Sequence, residues 1–131
     1  MTAKKLIRVR PGKKVRIVVI DNSAVIRDAL ICLCASLPRL DVVGQAQDGI
    51  QGLEAIRRLR PDVITLDIRM PRMGGMEVLK TIKEKEIRCL AIVLSGVAER
   101  FYLQKCLALG AWLVFDKLTQ IDELIQVLKS L

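Results

Sequence analysis

The sequence predicts an α/β fold: a doubly wound parallel sheet of five strands flanked by five helices. Three observations lead there. Short runs of branched apolar residues alternate with longer segments whose apolar positions recur every three or four residues. The runs are continuous, as strands covered on both faces require. Polar residues stand at the carboxyl ends of several of them: Asp21, Asp67, Ser95 and, near the fifth, Lys117.

"VRIVVI" (15–20) is the first strand. Ser23 can cap the helix that follows, which places Ile26, Ala29, Leu30, Leu33 and Leu37 on one side before Pro38 stops it. Asp21 is a second candidate for that cap. "DVVGQA" (41–46) is the second strand, and 49–60 a helix with Leu53, Ile56 and Leu59 inward. Pro61 marks the break before "DVITL" (62–66), the third strand. After Gly74-Gly75 comes a helix carrying Val78, Leu79 and Ile82 on one side. "LAIVL" (90–94) is the fourth strand, followed by a helix through about 98–109 that Gly110 closes. "WLVF" (112–115) is the fifth strand, and "TQIDELIQVLKSL" the last helix, with Thr119 as its cap and Ile121, Leu124, Ile125 and Leu128 inward.

Right-handed crossovers put helices on both faces of such a sheet, and the loops at its carboxyl edge form the ligand crevice. For the polar residues at that edge to meet, strands one, three, four and five must be neighbours. The flavodoxin-like order 2-1-3-4-5 achieves this. A competing signal, "LIRVRPGKKVRI", alternates around Pro11-Gly12 like a hairpin. The first strand is central in this topology and paired on both sides, so an extended arm over 1–14 followed by one domain over 15–131 is the better reading.

The chain has 131 residues, of which 52% are hydrophobic, enough for one domain with a real core. It contains no apolar stretch near the ~20 residues of a membrane span and no signal-peptide pattern, so a cytoplasmic protein is expected. The net charge is +8, but seven cations (Lys4, Lys5, Arg8, Arg10, Lys13, Lys14 and Arg16) fall in the first sixteen residues without an acid among them. Fifteen basic and fourteen acidic groups remain, so the body is nearly neutral. The arm is a solvated tail or an electrostatic arm for nucleic acid, anionic membrane or an acidic partner. With four aromatic residues the chain offers no base-stacking platform. The cysteines, Cys32, Cys34, Cys89 and Cys106, form no CxxC pair and read as buried reduced thiols.

A buried strand does not end in an unpaired carboxylate without compensation, because desolvating one costs several kcal/mol. Asp67 therefore needs a cation or exposure, and Lys117 can supply the charge. Asp21 adds a second carboxylate and Asn22 a neutral oxygen. An oxygen-rich pocket in a chain without histidine suits a hard ion such as Mg²⁺ better than zinc or copper.

With "VVIDNSAVIR", "PDVITLDIRMPRMGGMEVL", "AIVLSG" and "GAWLVFDK" in this order, each at a strand end, the chain resembles the receiver domains of two-component response regulators over about residues 15–131. The resemblance implies that Asp67 is the phosphoacceptor, attacking a phosphohistidine on a sensor histidine kinase or phosphotransfer protein. It implies Mg²⁺ held by Asp67, the backbone carbonyl of Arg69 and the acidic pair after the first strand. Ser95 would donate its hydroxyl to a phosphoryl oxygen, and Lys117 would pair with another. A carboxylate, ionised at neutral pH, needs no general base for this step. Asp116 is turned the other way by strand alternation and reads as structural.

Three positions depart from the family pattern. The second acid of the metal pair is Asn22, which lowers the expected Mg²⁺ affinity. The switch position, normally aromatic, is Val114, and Phe115 beside it faces the opposite side of the sheet. The residue after Lys117 is Leu118 where proline is usual, so a trans peptide is expected. Output is expected at the face made by the fourth helix, fifth strand and fifth helix, where Phe101, Tyr102 and Trp112 could anchor a downstream protein target; a homodimer is a further option. The domain is expected to signal as a stand-alone receiver rather than to act as an enzyme in its own right. The alternatives are a pseudo-receiver that binds partners without phosphate, or the receiver of a longer transcription factor or chemotaxis methylesterase.

Overall fold

The strands β1 (Val15–Ile20), β2 (Leu40–Ala46), β3 (Val63–Asp67), β4 (Leu90–Ser95) and β5 (Leu113–Asp116) form one parallel sheet in the order β2-β1-β3-β4-β5. This is a computed structural model, and it describes residues 12–96 and 101–131. The helices among the described residues are α1 (Ala24–Ala35), α2 (Gly49–Leu59), α3 (Gly75–Glu84), α4 (Leu103–Ala108) and α5 (Ile121–Ser130). The observed strand order is the expected one. β1 lies between β2 and β3, so no edge is free beside it for an N-terminal hairpin partner. Most of the predicted arm lies outside the described residues.

Alternation along β1 divides the core. Val18 and Ile20 point into one layer with Leu53 and Ile56 of α2 and Val78, Leu79 and Ile82 of α3. Val15, Ile17 and Val19 point into the other, with Leu30 and Cys34 of α1 and Leu124 and Leu128 of α5. Each such side chain contributes about 1.5–3 kcal/mol on burial. The strands are thus covered on both faces, which is why their sequences are unbroken apolar runs.

Several local expectations need correction. Ala29 and Cys32 are exposed, while Leu30 and Cys34 are the fully buried positions of α1. The reading of all four cysteines as buried therefore fails at Cys32. Ser23 is the cap of α1, its side chain accepting from the Ile26 N–H, and Asp21 instead accepts from the Ser23 N–H. Thr119 does not cap α5. The helix starts after Gln120, and the Thr119 N–H donates to the Asp116 carboxylate at 3.2 Å. The fourth helix is described only from Leu103, after a short 3₁₀ turn at 101–102; residues 98–100 of the expected span lie outside the described residues.

Where the loop from β3 enters α3, backbone packs so closely that Gly74 and Gly75 leave no room for a side chain. A Cβ on Gly75 would overlap the Asp67 carbonyl oxygen, a backbone atom that cannot yield cheaply. Gly75→Ala is therefore expected to destabilise the fold by about 1–3 kcal/mol in chemical denaturation, well above the effect of an ordinary helix substitution.

Candidate functional site

The parallel sheet brings the ends of β1, β3, β4 and β5 to one edge, and three of the predicted side chains meet there. Lys117 Nζ lies 2.8 Å from Asp21 Oδ2 and 3.1 Å from Asp67 Oδ1. Asp21 is 1% exposed and Asp67 7%, so both carboxylates are almost withdrawn from water. One ammonium between two carboxylates leaves the cluster one negative charge in excess.

Each carboxylate is also held by backbone. Asp21 Oδ1 accepts from the Ser23 N–H at 2.8 Å, and the Asp21 N–H donates to the Ala46 carbonyl. The Arg69 N–H bonds to the Asp67 carboxylate. Burial, then the charge of Asp21, push the Asp67 carboxyl above the usual carboxylate range, and Lys117 and the Arg69 N–H oppose the rise. For Lys117, burial is the largest influence and works downward. The close pairing with Asp21 and the charges of Asp67 and Asp21 together outweigh it, and the ammonium is held above its ordinary value.

A raised carboxyl in the folded state means that the native protein binds more protons than the unfolded chain just above the unfolded carboxylate range. Stability due to Asp67 is thus present at lower pH and lost as pH rises through the folded value. Asp67→Asn removes this loss together with the repulsion from Asp21. The variant is expected to be more stable at neutral pH by on the order of 1 kcal/mol, with a flatter pH dependence of Tm between acid and neutral conditions.

The other predicted residues sit around this core. Asn22 is exposed at the rim. Ser95 is fully buried, and its Oγ donates to the Phe115 carbonyl at 3.4 Å, a long bond. Arg69 is exposed in the loop after β3. Val114 is half-buried against the α2–α3 layer, and Phe115 is buried in the opposite layer. There is no cis peptide among the described residues, so Lys117–Leu118 is trans. Asp116 fixes the following turn by accepting from the Leu118 and Thr119 N–H groups. Phe101 is 91% exposed, Tyr102 lies under the Lys105 ammonium, and Trp112 is half-buried against the α1–α5 layer.

Several supports of the site were not singled out from the sequence. Arg27 of α1 donates to the Asp21 carbonyl and to Gln45 Oε1, tying β1 to β2 beside the cluster. Asp48 caps α2 through the Gln51 N–H and pairs with Arg72 in the loop after β3. The Gln51 N–H first, then Arg72, hold the Asp48 carboxyl below its ordinary value. The Gly49 N–H donates to the Met73 carbonyl, so the loop carrying Arg69 is clamped at its far end. An acid immediately before Gly49 at a helix start was a readable capping signal; its partner 24 residues away was not.

The donor set fits a small hard cation. Asp21 Oδ2 is buried with the Lys117 ammonium as its ion-pair partner and no hydrogen bond among the described residues, and the two carboxylates offer hard oxygen donors. Among the described residues no three acids, cysteines or histidines gather at one point, so the site offers two carboxylates rather than three.

The chain matches the family model "Response regulator receiver domain" over residues 17–129. It is 46% identical over 74 residues to a protein-glutamate methylesterase/protein-glutamine glutaminase of Pyrococcus abyssi, a match covering 56% of this chain and 20% of that protein. A protein of the same description from Geobacter sulfurreducens is 40% identical over 99 residues, covering 76% of this chain and 26% of its own length. The chain thus spans only about a fifth to a quarter of these relatives. Among solved structures, the response regulator domain of Thermotoga maritima CheB superposes with a TM-score of 0.81 at 32% identity, covering 89% of this chain and 95% of that one. The signal receiver domain of the putative response regulator NarL from Mycobacterium tuberculosis gives 0.81 at 30% identity, with 88% and 93% covered.

Proposed function

This chain belongs to the response regulator receiver domain family, and we propose that Asp67 is the residue through which it accepts a phosphoryl group. The observation that carries this reading is the Lys117 ammonium bridging Asp21 and Asp67 at the carboxyl edge of the sheet. An Asp67 oxygen attacks the phosphorus of a phosphohistidine on a sensor kinase or phosphotransfer protein. The P–O bond forms as the P–N bond breaks, the imidazole leaves, and an acyl phosphate results. Phosphoryl transfer asks the protein mainly for alignment and charge neutralisation. Lys117 supplies both: it fixes the Asp67 oxygen and stands ready to pair with a phosphoryl oxygen.

Mg²⁺ would be held by the Asp21 and Asp67 carboxylates, the Asn22 side chain and the Arg69 carbonyl, and when bound it supplies positive charge to the phosphoryl oxygens. Ser95 would exchange its long bond to Phe115 for one to the phosphoryl group. With Val114 at the switch position there is no ring to rotate. The response would pass through backbone shifts in β4 and α4 to the α4–β5–α5 face, where the exposed Phe101 and Tyr102 offer contacts to a protein target.

A second reading concerns output. The methylesterase relatives match only over this receiver region, which favours a receiver of the kind that controls such an enzyme. The reading frame of the source gene decides whether an enzymatic domain accompanies it. The phosphoryl-dependent switch is tested by amide NMR with beryllofluoride and Mg²⁺. Shifts centred on Asp67 that reach Ser95, Lys117 and α4 support it. An unchanged spectrum would mark a phosphate-independent binding module.

A further inference from the structure

At the edge of the sheet opposite Asp67 lies a cleft of about 460 Å³ between the end of α2 and the turn after α3. Arg57, Arg60, Lys85 and Arg88 line it, with Glu86 as the one acid and Ile56 in its floor. All four cations are exposed, and their side chains have no ion pair or hydrogen bond among the described residues. The rest of the molecule does not share this excess, since outside the first sixteen residues basic and acidic groups nearly balance. Cations gathered in a concavity repel one another and focus positive potential there. Such a site is stabilised by an anion.

The basic segment of the chain enters the sheet at this same edge. β1 begins at Val15, directly after the exposed Lys13 and Lys14, and the Val15 N–H donates to the Arg39 carbonyl. Arg16 reaches across to α2, its guanidinium donating to the carbonyls of Leu59 and of Arg60, itself a cleft residue. Lys4, Lys5, Arg8 and Arg10 precede in sequence. Arg16 therefore sets the start of β1 beside the cleft, where the Asp62 carboxylate accepts from the Arg16 N–H. The cleft lies about 15 Å along β3 from the phosphoacceptor end.

We propose that this edge binds nucleic acid by its phosphate backbone, without reading base sequence. Guanidinium forks match phosphate oxygens, and three of the four cleft cations are arginines. The cleft has no aromatic lining on which a base could stack, which leaves the backbone as the feature recognised. No exposed large apolar side chain lines it, so it has no anchor for insertion into a bilayer.

The test is fluorescence anisotropy of a labelled DNA duplex of about 20 base pairs with the full chain, titrated between about 50 and 200 mM salt. The comparison is the triple variant Arg57→Gln/Lys85→Gln/Arg88→Gln, whose altered side chains have no partners among the described residues and whose thermal melt confirms folding. The expected result is affinity for the duplex lowered about 10- to 100-fold at low salt, with a log–log salt slope shallower by about 2–3. Glu86→Gln is expected to tighten binding. Equal affinity of the parent and triple variant overturns the proposal, because binding would then rest on the arm alone. So does retention on phosphatidylserine vesicles with no binding to duplex.

Discussion

Lys117→Ala is expected to destabilise the metal-free protein by roughly 2–4 kcal/mol, and millimolar Mg²⁺ is expected to restore part of that loss. Removing one partner of a buried charge pair costs about 3–5 kcal/mol, because the remaining charge is left uncompensated. Here two carboxylates lose the same ammonium, at 2.8 and 3.1 Å. Water reaches the Lys117 side chain, which is 19% exposed, so the expected loss is shifted down from that range by about 1 kcal/mol. Asp67, already raised by burial and by Asp21, would take up a proton more readily still. A divalent cation replaces the missing charge and stabilises by mass action. The double variant Lys117→Ala/Asp67→Asn relieves the repulsion and should regain stability relative to Lys117→Ala. Denaturation with and without Mg²⁺ measures all of this. A loss below about 0.5 kcal/mol with no response to Mg²⁺ would mean that the ammonium is not what holds the two carboxylates together.

Asn22→Asp is expected to tighten Mg²⁺ binding about 10- to 100-fold, the second large effect. Affinity for hard cations follows the number of charged oxygen ligands, and the site as it stands gathers no three acids. Asn22 is exposed at the rim, so a carboxylate there costs little desolvation. An interaction of about 1.4–2.8 kcal/mol with a divalent ion is modest beside the Coulomb energies of neighbouring charges in a partly solvated site. The same substitution adds a third negative charge around one ammonium, so the metal-free variant should be less stable than the parent. On the proposed metal role, Asn22 gives up metal affinity and spares the cluster of Asp21, Asp67 and Lys117 a third negative charge. Isothermal titration with Mg²⁺ checks the first effect and metal-free denaturation the second.

Much of this was legible because the strands are covered on both faces. Unbroken apolar runs make a terminal Asp or Lys conspicuous, and the parallel topology then fixes Asp21, Asp67 and Lys117 at one edge. What remained hidden depends on side chains meeting across loops. The Asp48–Arg72 pair joins two connections from different crossovers, and neither residue signals the other. The start of α5 was misread at Thr119 because the Asp116 carboxylate, which looked merely structural, takes the N–H groups of the turn. The face of α1 was partly misread because Cys34, not the apolar Ala29, packs inward. The basic cleft was unreadable since its cations come from two segments nearly thirty residues apart, Arg57 and Arg60 in one and Lys85 and Arg88 in the other.

The function proposed for the site rests on one event, the transfer of a phosphoryl group to Asp67 in a pocket that has Asn22 in place of an acid. Intact-protein mass spectrometry after incubation with acetyl phosphate and Mg²⁺, followed by peptide mapping, tests it most directly. The parent should gain one phosphoryl group at Asp67, Asn22→Asp should gain it at lower Mg²⁺, and Asp67→Asn should gain none. A parent that stays unmodified at saturating Mg²⁺ while Asn22→Asp reacts would contradict the proposal and identify a receiver fold that works without phosphate.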